Sequence, residues 1–358
     1  MSSDGNTRWN LDSYQQLQLP HPDHPEDGHT DVVYAVPLEG DYLVSVSADK
    51  TARIWDLKTQ CLVHPPLLGH TGSVTAVQFD ATPDNDVIIT GDTDGNVMVW
   101  RFSTGEAIKT IAGAHHETVL SLYFDDRYLV TGGRDGKVKL WNRPTLNANS
   151  DEVPQFAVRP VESDRHEEYS LLVTFVGHDA AVNAVKLKDN VVVSGSGDSI
   201  MCIWSLRTGK ILHKVNIHQR GIACLQYNGR FIVSGSTDNS VKIYDVDQKV
   251  EVACLEGHTN LVRSVQAVYD DSGEVKTIIS GSYDGSVRFW EQVPGSREWR
   301  TEHQAHLNGF QAQGNVRADG EAKEFGDRIF SIALDANRLV CSGQGPIIRV
   351  WDLRAPRK

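Results

Sequence analysis

Short apolar–polar alternations, broken every few residues by turn-forming positions, run through almost the whole chain. Residues 177–204 show the pattern cleanly. Gly177-His178 opens the stretch, a mostly apolar run from Ala180 to Leu187 follows, and Asp189-Asn190 makes a turn. Val191-Val192-Val193 then leads into Ser194, Gly195-Ser196-Gly197-Asp198 turns again, and Cys202-Ile203-Trp204 closes the unit. Short alternating runs bounded by Gly, Asn, Asp and Ser predict strands joined by tight turns rather than helices.

Within this unit His178, Ser194, Asp198 and Trp204 stand at fixed intervals, and the same four-point spacing finds further copies. His29, Ser45, Asp49 and Trp55 fit without adjustment, as do His115, Thr131, Asp135 and Trp141. His218, Ser234, Asp238 and Tyr244 fit with Tyr in place of Trp. His70, Thr90, Asp94 and Trp100, and His258, Ser280, Asp284 and Trp290, fit once a longer gap follows the His. A seventh copy keeps His306 and Trp351 but places Cys341 and Gly345 where Ser and Asp are expected. Together the copies span residues 28–353.

A Gly-His opening in four of the copies, and Trp-Asp at 55–56 and 351–352, make this chain resemble the WD40 repeat family. The resemblance implies an all-β fold, a seven-bladed β-propeller of four-stranded sheets packed radially around a channel. It also implies that the four recurring residues form a buried polar relay, since buried polar groups need partners. A propeller of this size needs about 300 residues at roughly 40–45 per blade, so one domain over 9–353 is expected. Residues 1–8 are expected to be disordered and 354–358 to form a tail. Residues 9–19, with apolar Tyr14, Leu17 and Leu19, are expected to be the outer strand of blade seven, closing an edge otherwise left open. Two insertions interrupt the ring: 142–169 on the bottom face between two outer strands, and glycine-rich 307–327 overhanging the top. Residues 142–169 read as a surface loop, with Ser150 and Ser163 beside acidic residues as the alternative, a docking or modification site.

Composition narrows the function. The formal charge of −12, from 47 acidic and 35 basic residues, argues against a general nucleic-acid or membrane-surface binder. No apolar run approaches a membrane span and the polar N-terminus lacks a signal core, so a location in cytoplasm or nucleus is expected. Five cysteines without paired spacing suggest neither a disulfide framework nor a metal site. His21, His24 and His29, separated by prolines, read as a solvated loop plus one relay histidine rather than as metal ligands. Sevenfold repetition makes the His, Ser and Asp residues structural rather than a catalytic triad, and no cofactor is implied. Gly132-Gly133-Arg134-Asp135-Gly136 mimics a phosphate loop but joins two strands, not a strand to a helix.

Propellers present their top face to proteins and peptides. Counting from the repeat, the residues just before the Asp are Ala48, Thr93, Arg134, Gly197, Thr237, Tyr283 and Gln344. Those five after the His are Tyr34, Thr75, Leu120, Asn183, Ala223 and Arg263, with Arg328 and Phe330 assigned by alignment in blade seven. The candidate binding set is therefore Tyr34, Arg134, Asn183, Arg263, Tyr283, Arg328, Phe330 and Gln344. It holds no carboxylate, and arginines and aromatics dominate binding hot spots, so an anionic protein or peptide segment is the expected ligand.

The segments 19–29, 100–106, 281–290 and 343–351 further resemble the propeller half of F-box/WD-repeat proteins. That resemblance implies a substrate receptor of an SCF ubiquitin ligase, with a ligand that is often phosphorylated and read by residues such as Arg134 and Arg263. The departures are that these two arginines fall in blades three and six, and that residues 1–27 show no amphipathic helix for an F-box. The alternative is a scaffold subunit of a signalling, RNA-processing or chromatin assembly.

Overall fold

A computed structural model describes residues 11–144, 146–147, 154, 157, 165–293, 296, 298–306 and 328–356. Seven antiparallel sheets form the blades of a propeller, each with four strands, a to d, running from the channel outward, and blade one adds a short fifth strand, Leu38–Glu39, beside its strand b. In blade four these are Val182–Lys188, Val191–Ser196, Ile200–Ser205 and Ile211–Asn216. The sequence dictates the layering. Strand b is walled by the neighbouring blades on both faces, so it is a continuous small or β-branched run, and Val192 to Ser196 are all buried. Strand d is the outer edge and carries polar residues at alternate positions, as in Ile211–Asn216, of which none is fully buried.

Seven apolar clusters fill the seven interfaces between adjacent blades. Close approach is obtained with glycine in strand b. A Cβ on Gly195 would lie 2.6 Å from Ile222 Cγ2 of the next blade, and one on Gly235 would lie 2.7 Å from Val262. Larger residues at these points would push the blades apart.

The ring closes through β1 (Tyr14–Leu19), which pairs antiparallel with the strand Ile348–Pro356. Blade seven thus takes its outer strand from one end of the chain and its other three from the opposite end. The pairing begins at Tyr14 rather than at residue 9, because a 3-10 turn over Leu11–Ser13 precedes it. That turn is itself anchored, with Leu11 in the cluster between blades six and seven and Leu19 in the cluster between seven and one.

Blade one has a short outer strand, only Cys61–Leu62. The insertion between strands c and d of blade three starts with a small hairpin, Leu146–Asn147 against Arg165–His166. Arg143 fixes its base by donating to the Asp125 carbonyl and lying 4.6 Å from the Phe124 ring centroid. The insertion 307–327, and residues 1–10, lie outside the described residues. No helix among the described residues is long and apolar enough to cross a membrane.

Candidate functional site: the relay and the channel mouth

One donor-only group sets the direction of the relay. The indole N–H of Trp290 can only donate, and it does so to Ser280 Oγ at 2.8 Å. Ser280 Oγ in turn lies 2.7 Å from His258 Nε2, which places the hydroxyl proton on that bond. His258 Nδ1 then carries the imidazole proton and donates to Asp284 at 2.8 Å. Asp284 also accepts the Thr259 N–H at 3.0 Å and the Ser286 hydroxyl at 2.6 Å. Burial pushes the His258 imidazole down against the pull of Asp284, in keeping with a neutral ring. Burial pushes the Asp284 carboxyl up, but the bonds from His258 and Ser286 outweigh it and hold it well below the usual carboxylate range. Donors and acceptors match at every step, so the chain can be buried without loss.

Blades one, three and four repeat this arrangement. His29 meets Asp49 and Ser45 at 2.8 Å each, and Trp55 completes it. His115 joins Asp135 and Thr131 with Trp141, and His178 joins Asp198 and Ser194 with Trp204. Blade five has His218 between Asp238 and Ser234, but Tyr244 stands in the indole position and packs into the apolar cluster. Each relay Ser or Thr is fully buried, so no substrate reaches a nucleophile there.

Blade two departs from the expected residue. His70 donates to Asp92 at 2.8 Å, not to Asp94, while Thr90 and Trp100 occupy their expected places. Asp92 sits two residues earlier, where other blades carry Ser or Gly, and exposed Asp94 instead accepts the Thr71 hydroxyl at 2.7 Å. Asp92→Ala is therefore expected to cost ~3 kcal/mol of unfolding free energy, since it strands His70 and two backbone donors. Asp94→Ala is expected to stay within about 1 kcal/mol, and urea unfolding of the two variants separates the assignments. In blade seven Cys341 takes the Ser position and is buried among Ile329, Ile332 and Trp351, while the side chain of His306 lies outside the described residues.

The channel mouth is built by a repeated irregularity. In all seven blades strand a bulges after its first residue, between Val33/Ala35, Val74/Ala76, Val119/Ser121, Val182/Ala184, Ile222/Cys224, Val262/Ser264 and Ile329/Ser331. The bulged residue loses its pairing partner and is re-aimed. In six blades these are the positions five after the His and in blade seven the residue is Phe330, and all seven line the channel.

Their neighbours sort the candidate residues. Tyr34 and Phe330 meet edge to face at 5.8 Å between ring centroids, and Phe330 meets Tyr283 at 5.2 Å. Arg328 extends this row, with its guanidinium 5.3 Å from the Tyr283 centroid. Blades one, six and seven thus contribute a half-exposed aromatic row ending in a cation. Arg263 lines the mouth close by, in blade six.

One expectation is overturned, and two further members stand apart from the aromatic row. Arg134 is not free of acidic company, since Glu117 stands 3.7 Å from its Nε. Asn183 uses its amide on the Ile222 carbonyl at 2.7 Å, joining blades four and five. Gln344 is exposed, in blade seven. A residue not anticipated is Lys186, deeper in the channel, whose Nζ lies 4.5 Å from the Tyr123 ring centroid. Its signal is present in the sequence, as a lone charge in the strand-a position that is Gln in blades two, five and six.

This geometry defines a class: a β-propeller whose buried polar groups are structural and whose reachable surface is built for protein contact. The family model described as "WD domain, G-beta repeat" matches residues 22–56, 60–101, 105–142, 169–205, 209–245 and 249–291, and the chain belongs to this family. Six repeats are matched there, and the structure supplies the seventh blade. "Cell division control protein 4" of Saccharomyces cerevisiae is 26% identical over 83% of this chain and 41% of its own length. "p21-activated protein kinase-interacting protein 1-like" of Danio rerio is 24% identical over 75% of this chain and 66% of its own. "Ribosome biogenesis protein WDR12 homolog" of Culex quinquefasciatus is 24% identical over 74% and 63%. The chain spans less than two thirds of each of these relatives. The crystal structure of the "WD40 beta propeller domain of Doa1" superposes with a TM-score of 0.69 at 21% identity, covering 91% of this chain and 94% of that one, a likeness of fold. The range of names does not single out the F-box/WD subgroup that four sequence segments resemble. What is shown is a WD-repeat propeller, a protein-interaction module.

Proposed function

We propose that this propeller captures a protein segment on its top face, at the row Tyr34, Phe330, Tyr283 and Arg328 with Arg263 beside it. The observation that carries the reading is the aromatic row itself, in which three rings from three blades stay half-exposed and end in an exposed arginine. Rigid aromatics give contact area at low entropic cost, and Arg pairs with carboxylate or phosphate. The segment this surface fits has an apolar residue next to an acidic or phosphorylated one. Arg134, already faced by Glu117, contributes little.

As a cellular role we place first substrate recognition in ubiquitin-ligase biology, which rests on the four segments resembling F-box/WD-repeat proteins. A scaffold subunit of another assembly is the second reading, favoured by the variety of the relatives' names. Affinity purification of the protein from its native cell should recover a partner set that falls at least tenfold in a Tyr283→Ala, Phe330→Ala double variant. Arg134→Glu should leave that set unchanged. Ligase adaptor and cullin among the partners would favour the first role, and their absence with the rest retained would favour the scaffold. Partners indifferent to the double variant would refute the top-face assignment.

A further inference from the structure

The channel itself has an electrostatic character opposite to that of the protein around it. Its volume is about 300 Å³, and no Asp or Glu is among its lining residues. Two cations are, Arg263 at the mouth and Lys186 deeper down, in a chain whose formal charge is −12. Other polar side chains of the wall are engaged between blades. Gln226 donates to the Val265 carbonyl at 3.3 Å, and Ser264 accepts the Ile332 N–H at 3.1 Å. Lys186 is different, since its one described neighbour of note is the face of Tyr123.

From this arrangement we infer that the central channel is a binding site for a small multivalent oxyanion, held between Lys186 and Arg263. The site runs from Arg263, on the same ring of bulged residues as Tyr34 and Phe330, down to Lys186, and it does not require that a protein be captured above it. A cation placed in a confined channel without a carboxylate costs folding energy, which a bound anion would offset. Burial alone pushes the Lys186 ammonium down to about 8, and no neighbouring charge offsets it. A ring face supplies only part of what a counter-ion would. The volume is at the small end of ligand sites, and a compact anion such as a diphosphate or tricarboxylate fits it. The same chemistry could come from a free metabolite or from an acidic side chain of a captured protein, and the test separates the two.

Inorganic pyrophosphate, titrated calorimetrically into the intact protein in metal-free buffer at constant ionic strength, is the probe. Saturable binding is expected, at least tenfold weaker in Lys186→Met and in Arg263→Gln, and within about threefold of the parent in Lys186→Arg. Lys210→Met, an exposed lysine outside the channel, should bind as the parent does. Without anion, Lys186→Met is expected to melt no lower than the parent, because replacing an unpaired confined charge by a similar apolar volume is neutral or stabilising. If that variant does not fold, Arg263→Gln at the half-exposed mouth carries the test alone. The Tyr283→Ala variant, at a ring that does not line the channel, should keep pyrophosphate affinity even where partner capture is weakened, which marks the site as one for a free anion. Pyrophosphate binding lost with partner capture in that variant would overturn the separate site. So would an absence of saturable heat, or equal affinity in Lys186→Met.

Discussion

Removal of residues 1–19 is expected to cost at least ~4 kcal/mol of stability, the largest effect of any change outside the blade cores. The magnitude comes from two leucines. Leu11 and Leu19 are each about 1% exposed and sit in different inter-blade clusters, so their losses, ~2–5 kcal/mol each on truncation, should add. The deletion also strips the strand Ile348–Pro356 of its outer partner and opens an unpaired edge. A propeller opened at one interface has lost the closure that every blade relies on. Denaturant unfolding of the truncated chain, beside Leu11→Ala and Leu19→Ala, provides the measurement. An unchanged midpoint for the truncated chain would contradict the role assigned to β1.

His258→Leu is expected to cost ~3–5 kcal/mol, because it takes the imidazole donor from the Asp284 carboxylate and the acceptor from the buried Ser280 hydroxyl at once. Asp284 would keep its bonds from Ser286 and Thr259 but lose the imidazole N–H, and Ser280 would lose its acceptor. A finer comparison tests the relay rather than mere volume. Ser280→Ala strands two groups, His258 Nε2 and Trp290 Nε1, whereas Ser234→Ala strands only His218 Nε2 because Tyr244 offers no indole N–H. Ser280→Ala should therefore be the more damaging by ~1–3 kcal/mol in unfolding measurements. Equal costs in the two blades would mean that the indole bond contributes nothing.

The same contrasts explain how much of the molecule is legible in its sequence. The blades are legible because the relay must span fixed distances across strands a to d, which forces a nearly constant residue spacing on any chain that builds it. Blade two shows where spacing misleads. Asp92 and Asp94 sit on the same turn, and only geometry tells which carboxylate reaches His70. The bulge in strand a leaves no mark in the hydrophobic pattern, yet the counted positions still fall on the channel because all seven blades share it. What the repeat does not convey is contact between blades. Asn183 meets a carbonyl 39 residues away, and Lys186 faces a ring from the preceding blade. The aromatic row joins Tyr34 to Phe330 across the closure of the ring, a proximity that exists only once the first and last repeats are neighbours.

The top-face assignment is tested most directly by site-specific photo-crosslinking in the native cell. A photoreactive phenylalanine would replace Tyr283 in one variant and Phe330 in a second, with exposed Lys276, at the bottom-side start of strand b in blade six, as the reference position. Crosslinks to a common partner are expected from positions 283 and 330, mapping to one short segment of that partner, and none to it from 276. Crosslinks to partners from 276, with positions 283 and 330 silent, would move the interaction to the opposite face and contradict the assignment.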